Sequence, residues 1–172
     1  GLDRVPEQGV ALVVERTAVL VADLQILHVE GLGMPRLGAE RLEGAYAWRK
    51  VLDAGGHLAL GSDFPIEDVN PFYGIYSAVT RQDHHGHPPG GWLPSEKLTL
   101  AEAVRGFTVE PAYAAFEEET RGTIEAGKWA DFTIVDGDFA SAPQSDLWKT
   151  KVRYTIVNGE VVETVKVEPK SG

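Results

Sequence analysis

The run from Gly55 to Pro65 constrains this chain more than any other. Gly55-Gly56 closes a helix-like pattern, and an almost wholly apolar strand, Leu58 to Ser62, follows at once. A strand without polar alternation offers no face to water, so both of its faces must be covered, as in a parallel sheet. The preceding residues, Glu40 to Ala54, place Leu42, Ala45, Tyr46, Arg49 and Leu52 at three- and four-residue steps, which predicts a helix. Helix, glycine stop and buried strand in succession are the cadence of an α/β fold. The length of 172 residues suits one domain, or one and a half, with a real core.

Around that centre the pattern changes twice. Residues 9–29 read as strand-like, with Val10, Leu12, Val14, Val19 and Val21 loosely alternating. Gly31, Gly33, Pro35 and Gly38 mark a loop. A short helix is expected at Pro71 to Thr80. His84 to Pro94 holds three His, three Pro and three Gly, and loops of that kind tend to be functional or mobile. Thr99 and Glu102 fit a capping box opening a helix to Arg105 or Gly106. Thr108 can cap a second helix, with Pro111 in its first turn, running to about Glu119. After Gly122 the period becomes two. Gly122 to Asp131 reads as strand, tight turn, strand, with Gly127 free to take a left-handed conformation. Thr133 to Val135 ends at Asp136-Gly137-Asp138. Val152 to Val157 and Val161 to Val167 flank Asn158-Gly159, a strong hairpin signal because both turn residues must take positive φ. The expected division is 1–120 for strand-helix units with an 81–97 loop insertion, and 121–172 for a small β module.

Composition removes several function classes. Sixteen Lys and Arg against twenty-six Asp and Glu give a net charge of −10, which repels phosphate backbones and argues against a nucleic-acid partner. With no cysteine there is no disulfide, thiolate zinc site or cysteine nucleophile, and the composition fits a reducing cytoplasm. The longest apolar run, Val10 to Leu27, is interrupted by Glu15, Arg16 and Asp23 and lacks a basic leader, so neither a membrane span nor a signal peptide is expected. Gly1 stands where an initiating Met would, which reads as a trimmed or incomplete chain.

Three features carry candidate chemistry. Asp63 stands where the buried strand ends, and in α/β folds the carboxyl ends of strands bear the site residues. A carboxylate there can hold a divalent metal or act as a general base, or it can simply cap the next turn. His84, His85 and His87 form an alternative metal-binding cluster, or are polar residues of an exposed loop. His28 and His57 are isolated and read as structural, and Glu117-Glu118-Glu119 as a solvated face.

Several segments together resemble the amidohydrolase superfamily, in the branch often called amidohydrolase 3. They are Glu40 to Arg49, Leu58-Ala-Leu-Gly-Ser-Asp63-Phe-Pro65, Gly90-Gly-Trp92-Leu-Pro94, Leu98 to Ala103, Pro111-Ala-Tyr113-Ala, Gly122-x-Ile124-x-x-Gly127-Lys128-x-Ala130-Asp131-Phe132, and Val157-Asn-Gly159-Glu-Val161-Val. Each is modest alone; their order, from about 38 to 163, is specific.

The resemblance implies the C-terminal part of a metal-dependent (β/α)8 barrel followed by a small β-sandwich module, the sandwich being built from both chain ends. The implied activity is hydrolysis of non-peptide C–N bonds in amides, cyclic amides or formamides. Asp63 falls on the family's Asp after the last barrel strand, where it touches the metal and takes a proton from metal-bound water. Zinc is the first choice among divalent metals. Trp92 and the 81–97 loop are expected to line the substrate side. The family also needs a His-x-His, a bridging Lys or Glu, and two later His, none of them matched here, and a whole barrel takes about 250 residues. Residues 10–36 do not follow the family pattern. The chain alone is therefore expected to hold no metal tightly and to be inactive, while the parent takes a small amide-type substrate. Open strand edges predict a homo-oligomer and no membrane partner. The alternative is an inactive remnant that serves as a self-associating module.

Overall fold

The computed structural model describes residues 11–14, 17–23, 39–42 and 44–164. His28, the whole of the expected 31–38 loop and the end of the last predicted strand, 165–167, lie outside them. Two three-stranded sheets organise the described residues. In the first, β1 (Ala11–Val14) runs antiparallel to β2 (Thr17–Asp23), and β2 runs parallel to β3 (His57–Gly61). Val19 stands opposite His57 and Asp23 opposite Gly61. A parallel pair needs a crossover connection, and this one contains α1 (Ala39–Leu42) and α2 (Trp48–Asp53).

The helix predicted over Glu40 to Ala54 is thus two short helices. The break comes at Tyr46, whose φ of +52° no α-helix accommodates. The Tyr46 ring packs edge-on against Trp92 at 5.3 Å and Trp48 at 6.4 Å. A tertiary aromatic contact has overridden local periodicity.

The interior of β3 is buried as its sequence requires: Leu58, Ala59 and Leu60 are all at most 5% exposed. α3 (Pro71–Thr80) opens with Asn70 accepting the Phe72 amide at 3.0 Å and Pro71 in the first turn. It buries Phe72, Ile75, Tyr76, Ala78 and Val79. α4 (Leu100–Phe107) begins with the predicted capping box: Thr99 Oγ1 accepts the Glu102 amide, and the Glu102 carboxylate accepts the Thr99 amide. Gly106 lets α4 approach β3, since a Cβ there would stand 2.6 Å from Leu60 Cδ1. α5 (Val109–Ala114) is shorter than expected, because Phe116 turns to φ +60°. Thr108 does not cap it; its hydroxyl donates back to the Val104 carbonyl at 2.8 Å.

In the second sheet β4 (Phe132–Val135), β5 (Val152–Val157) and β6 (Glu160–Thr164) pair antiparallel in that order. Asn158 (φ +51°) and Gly159 (φ +81°) make the predicted hairpin turn. The strands predicted within 122–131 are absent, although Gly127 does take φ +95°. That segment is held by side chains instead. Lys128 Nζ donates to the Glu118 carbonyl at 2.7 Å and to Thr123 Oγ1 at 2.6 Å. Asp131 accepts the Asn158 amide at 2.7 Å, and the Gly159 amide donates to the Ala130 carbonyl at 2.9 Å. The Gly-Lys-x-Ala-Asp motif therefore locks the connection to the hairpin.

Candidate active site at the end of β3

Asp63 follows the last residue of β3 by two positions, at φ +46°. Its backbone carbonyl, not its carboxylate, makes the turn, accepting the Ile66 amide at 2.9 Å. The side chain is exposed, and no described residue donates to it or pairs with it. The turn-cap role that the sequence allowed is thus not used. Left-handed φ is uncommon outside glycine, and such conformations concentrate at functional sites.

Beside it lies a cleft of 220 Å³, lined by Ser62, Glu67, Asp68, Tyr73, Gly74, Tyr76, Ser77 and His84. The long loop, expected to be functional or mobile, is tightly folded at its start. Gln82 Nε2 donates to the carbonyls of Gly86 and Pro88, both at 2.8 Å. Asp83 accepts the amides of His85 at 2.8 Å and His87 at 2.9 Å. Burial opposes the charge on Asp83, but those two amides outweigh it and hold the carboxyl below its ordinary value. The result presents His84 to the cleft, with its ring 5.9 Å from Tyr73 and 5.7 Å from Trp148. His85 and His87 do not line it. Among the described residues no three His, Asp or Glu converge as a metal site.

Trp92 lies elsewhere. It is 8% exposed and belongs to the core, where Arg81 binds it to Trp48. The Arg81 guanidinium sits 4.4 Å from the Trp48 ring and 5.2 Å from the Trp92 ring, and its Nε donates to the Trp92 carbonyl at 3.0 Å. Burial pulls Arg81 down to about 10, with attraction to Glu96 acting against it. Nothing in the local sequence distinguished this arginine from an exposed one.

Two further networks brace the frame. At the opposite end of β3, His57 Nδ1 lies 2.5 Å from Glu110 Oε2, Arg105 Nη2 donates to Glu110 Oε1 at 2.8 Å, and the His57 ring stacks on Tyr113 at 4.1 Å. His57 is structural, as its isolation suggested. Arg49 grips Glu102 with both nitrogens, at 2.8 and 2.5 Å. That hydrogen-bonded pairing holds the Glu102 carboxyl down at about 2.

The sequence profile of the Amidohydrolase family matches residues 13–163. Its start at 13 corrects the reading that set residues 10–36 outside the pattern. The chain is 37% identical over 127 residues to the amidohydrolase YtcJ of Bacillus subtilis (strain 168), covering 74% of this chain and 24% of that protein. It is 35% identical over 111 residues to an N-substituted formamide deformylase of Arthrobacter pascens, covering 64% of this chain and 20% of the other. Its backbone is similar to the crystal structure of an uncharacterized metal-dependent hydrolase from Pyrococcus furiosus, with a TM-score of 0.51 and 25% identity over 64% of this chain and 21% of that one. The chain thus spans about a quarter of the length of the curated relatives it matches.

Proposed function

This chain belongs to the amidohydrolase family, and we propose that it is the C-terminal portion of a metal-dependent hydrolase acting on non-peptide C–N bonds of amide, cyclic amide or formamide type. In this reading the parallel pair β2–β3 and its helices are the last units of a (β/α)8 barrel, β1, antiparallel to β2, stands outside the barrel pattern, and β4–β6 contribute to a β-sandwich. The observation that carries the reading is Asp63: unpaired among the described residues, left-handed, at the carboxyl end of a buried strand and beside a cleft. The formamide deformylase similarity favours a C–N bond as the target.

Asp63 is the general base. Its carboxylate takes a proton from the attacking water as the oxygen adds to the carbonyl carbon. It returns that proton to the nitrogen as the C–N bond breaks, releasing an acid and an amine. A bound divalent metal, zinc first, would supply a water acidified toward neutrality. A catalytic zinc usually needs three protein ligands, and the described residues offer no such group, so they do not make a metal site by themselves. The other ligands belong to the rest of the parent. Zinc analysis of the dialysed chain is expected to find less than stoichiometric metal. One tightly held ion per chain, lost on mutating His84, His85 and His87, would move the site to the loop. No helix among the described residues is long and apolar enough to cross a membrane, and the lack of cysteine suits work in the cytoplasm.

The deciding experiment uses the full-length parent. Asp63→Asn keeps shape and removes the proton acceptor, so turnover should fall by about 10²–10⁴-fold while circular dichroism stays unchanged. Hydrolysis surviving within a few-fold would defeat the assignment.

A second reading, an inactive module that self-associates, is favoured by exposed apolar side chains on the second sheet: Ile134 (43%), Val157 (48%), Val161 (56%) and Val162 (60%). Sedimentation of the chain should then show a dimer or larger species. A monomer that unfolds sharply and cooperatively would count against self-association in either reading.

A further inference from the structure

We propose that the cleft beside Asp63 binds a small organic cation, the ammonium-bearing part of an amide-type substrate; only the word substrate rests on the hydrolase reading above. The walls carry aromatic rings and oxygen acceptors but neither Lys nor Arg. Tyr73 and His84 face one another at 5.9 Å, and Trp148 stands behind both, at 6.0 and 5.7 Å. Rings backed in this way stay in place without a ligand, which is what a cation–π site requires. Trp148 itself sits 5.5 Å from the Lys149 ammonium, which Asp146 holds at 2.6 Å and which does not line the cleft. Glu67 and Asp68 add negative charge at the rim, with one Asp68 oxygen accepting the Asn70 amide at 2.8 Å. The volume of 220 Å³ equals roughly seven waters at about 30 Å³ each, enough for a quaternary ammonium head and a short chain.

The rival occupant is an anion drawn to the start of α3, whose first amides would favour negative charge. The Asn70 side chain already serves one of those amides, and an anion there would face two carboxylates.

The test titrates the 172-residue chain with choline, following backbone amide shifts by NMR. Its neutral isostere 3,3-dimethylbutan-1-ol and inorganic phosphate serve as controls. Choline is expected to saturate in the millimolar range, to move Tyr73, Ser77 and His84, and to bind at least about tenfold more tightly than the alcohol. Tyr73→Leu and Asp68→Asn should each weaken choline by about three- to tenfold. His84→Leu, at an exposed position, repeats the ring test should Tyr73→Leu fail to fold. Equal binding of the alcohol, stronger binding of phosphate, absence of saturation by about 100 mM, or indifference to the ring and carboxylate variants would each overturn the proposal. A parent that hydrolyses neutral amides through Asp63 while the chain ignores choline would refute this inference alone. Choline binding beside a parent indifferent to Asp63→Asn would refute only the hydrolase reading.

Discussion

The two sheets of this chain are built on opposite principles. β3 is buried along its interior and packed by α2, α3, α4 and α5, in a core that includes Trp48, Leu58, Leu60, Ile75, Val79, Trp92 and Ala103. The β4–β5–β6 sheet has no buried residue in β4 or β5, and Ile134, Tyr154, Val157, Val161 and Val162 stand exposed. Its main tie to the first half is the turn of 3₁₀ helix at Gln144–Lys149, whose Leu147 is wholly buried beside α3. One half is held by burial of side chains. The other leans on that core only through partly buried side chains such as Val135, Phe139 and Val152, and is otherwise held by backbone ladders, a fixed turn and the Lys128 and Asp131 hydrogen bonds. The first kind of stability fails when a side chain is cut back, the second when a backbone conformation is denied.

That contrast can be broken by mutation, and the largest effect belongs to the packed half. Leu58→Ala should destabilise by about 2–5 kcal/mol in urea unfolding, since a buried leucine leaves a cavity. A loss under 1 kcal/mol would show the core to be loose. Gly106→Ala comes next, at about 1–3 kcal/mol, because the new methyl meets Leu60 and the α4–β3 approach must widen. In the open sheet, Gly159→Ala should cost about 1 kcal/mol through its positive φ alone, there being room for the methyl. Equal costs at Leu58 and Gly159 would erase the distinction between the halves.

Acid provides a finer probe of the packed half. Glu102, paired with Arg49, titrates near 2 when folded against an ordinary 4.5. A depressed carboxyl stabilises above its unfolded value and loses that contribution as pH falls through the folded one. Wild type should therefore exceed Glu102→Gln in stability at pH 7, and the gap should close between about pH 4.5 and 2. The pair is partly exposed, so the gap should stay within about 1 kcal/mol. The smallest effect expected is Val161→Thr, within about 0.5 kcal/mol, because that side chain already faces solvent. A larger loss, seen only at high protein concentration, would reveal a self-association face.

Much of this was legible in the chain. The Thr99–Glu102 capping box, the α3 helix over Pro71 to Thr80, the buried β3 and the Asn158-Gly159 turn all follow from short-range rules whose partners lie within a few residues. Of the candidate site, Asp63 and its place at a strand end were legible, but the cleft was not. Its wall joins His84 to Tyr73, and behind them stands Trp148, sixty-four residues away from His84 in the chain. Tyr46 breaks its helix because it meets Trp92, and Trp92 enters the core because Arg81 holds it there. Sequence by itself determined where strands, caps and turns fall, since those depend on backbone sterics and neighbouring hydrogen bonds. Tertiary structure alone decided which polar and aromatic side chains are buried. Burial depends on what packs against a residue, and here those partners are supplied by segments from eleven to seventy-five residues away.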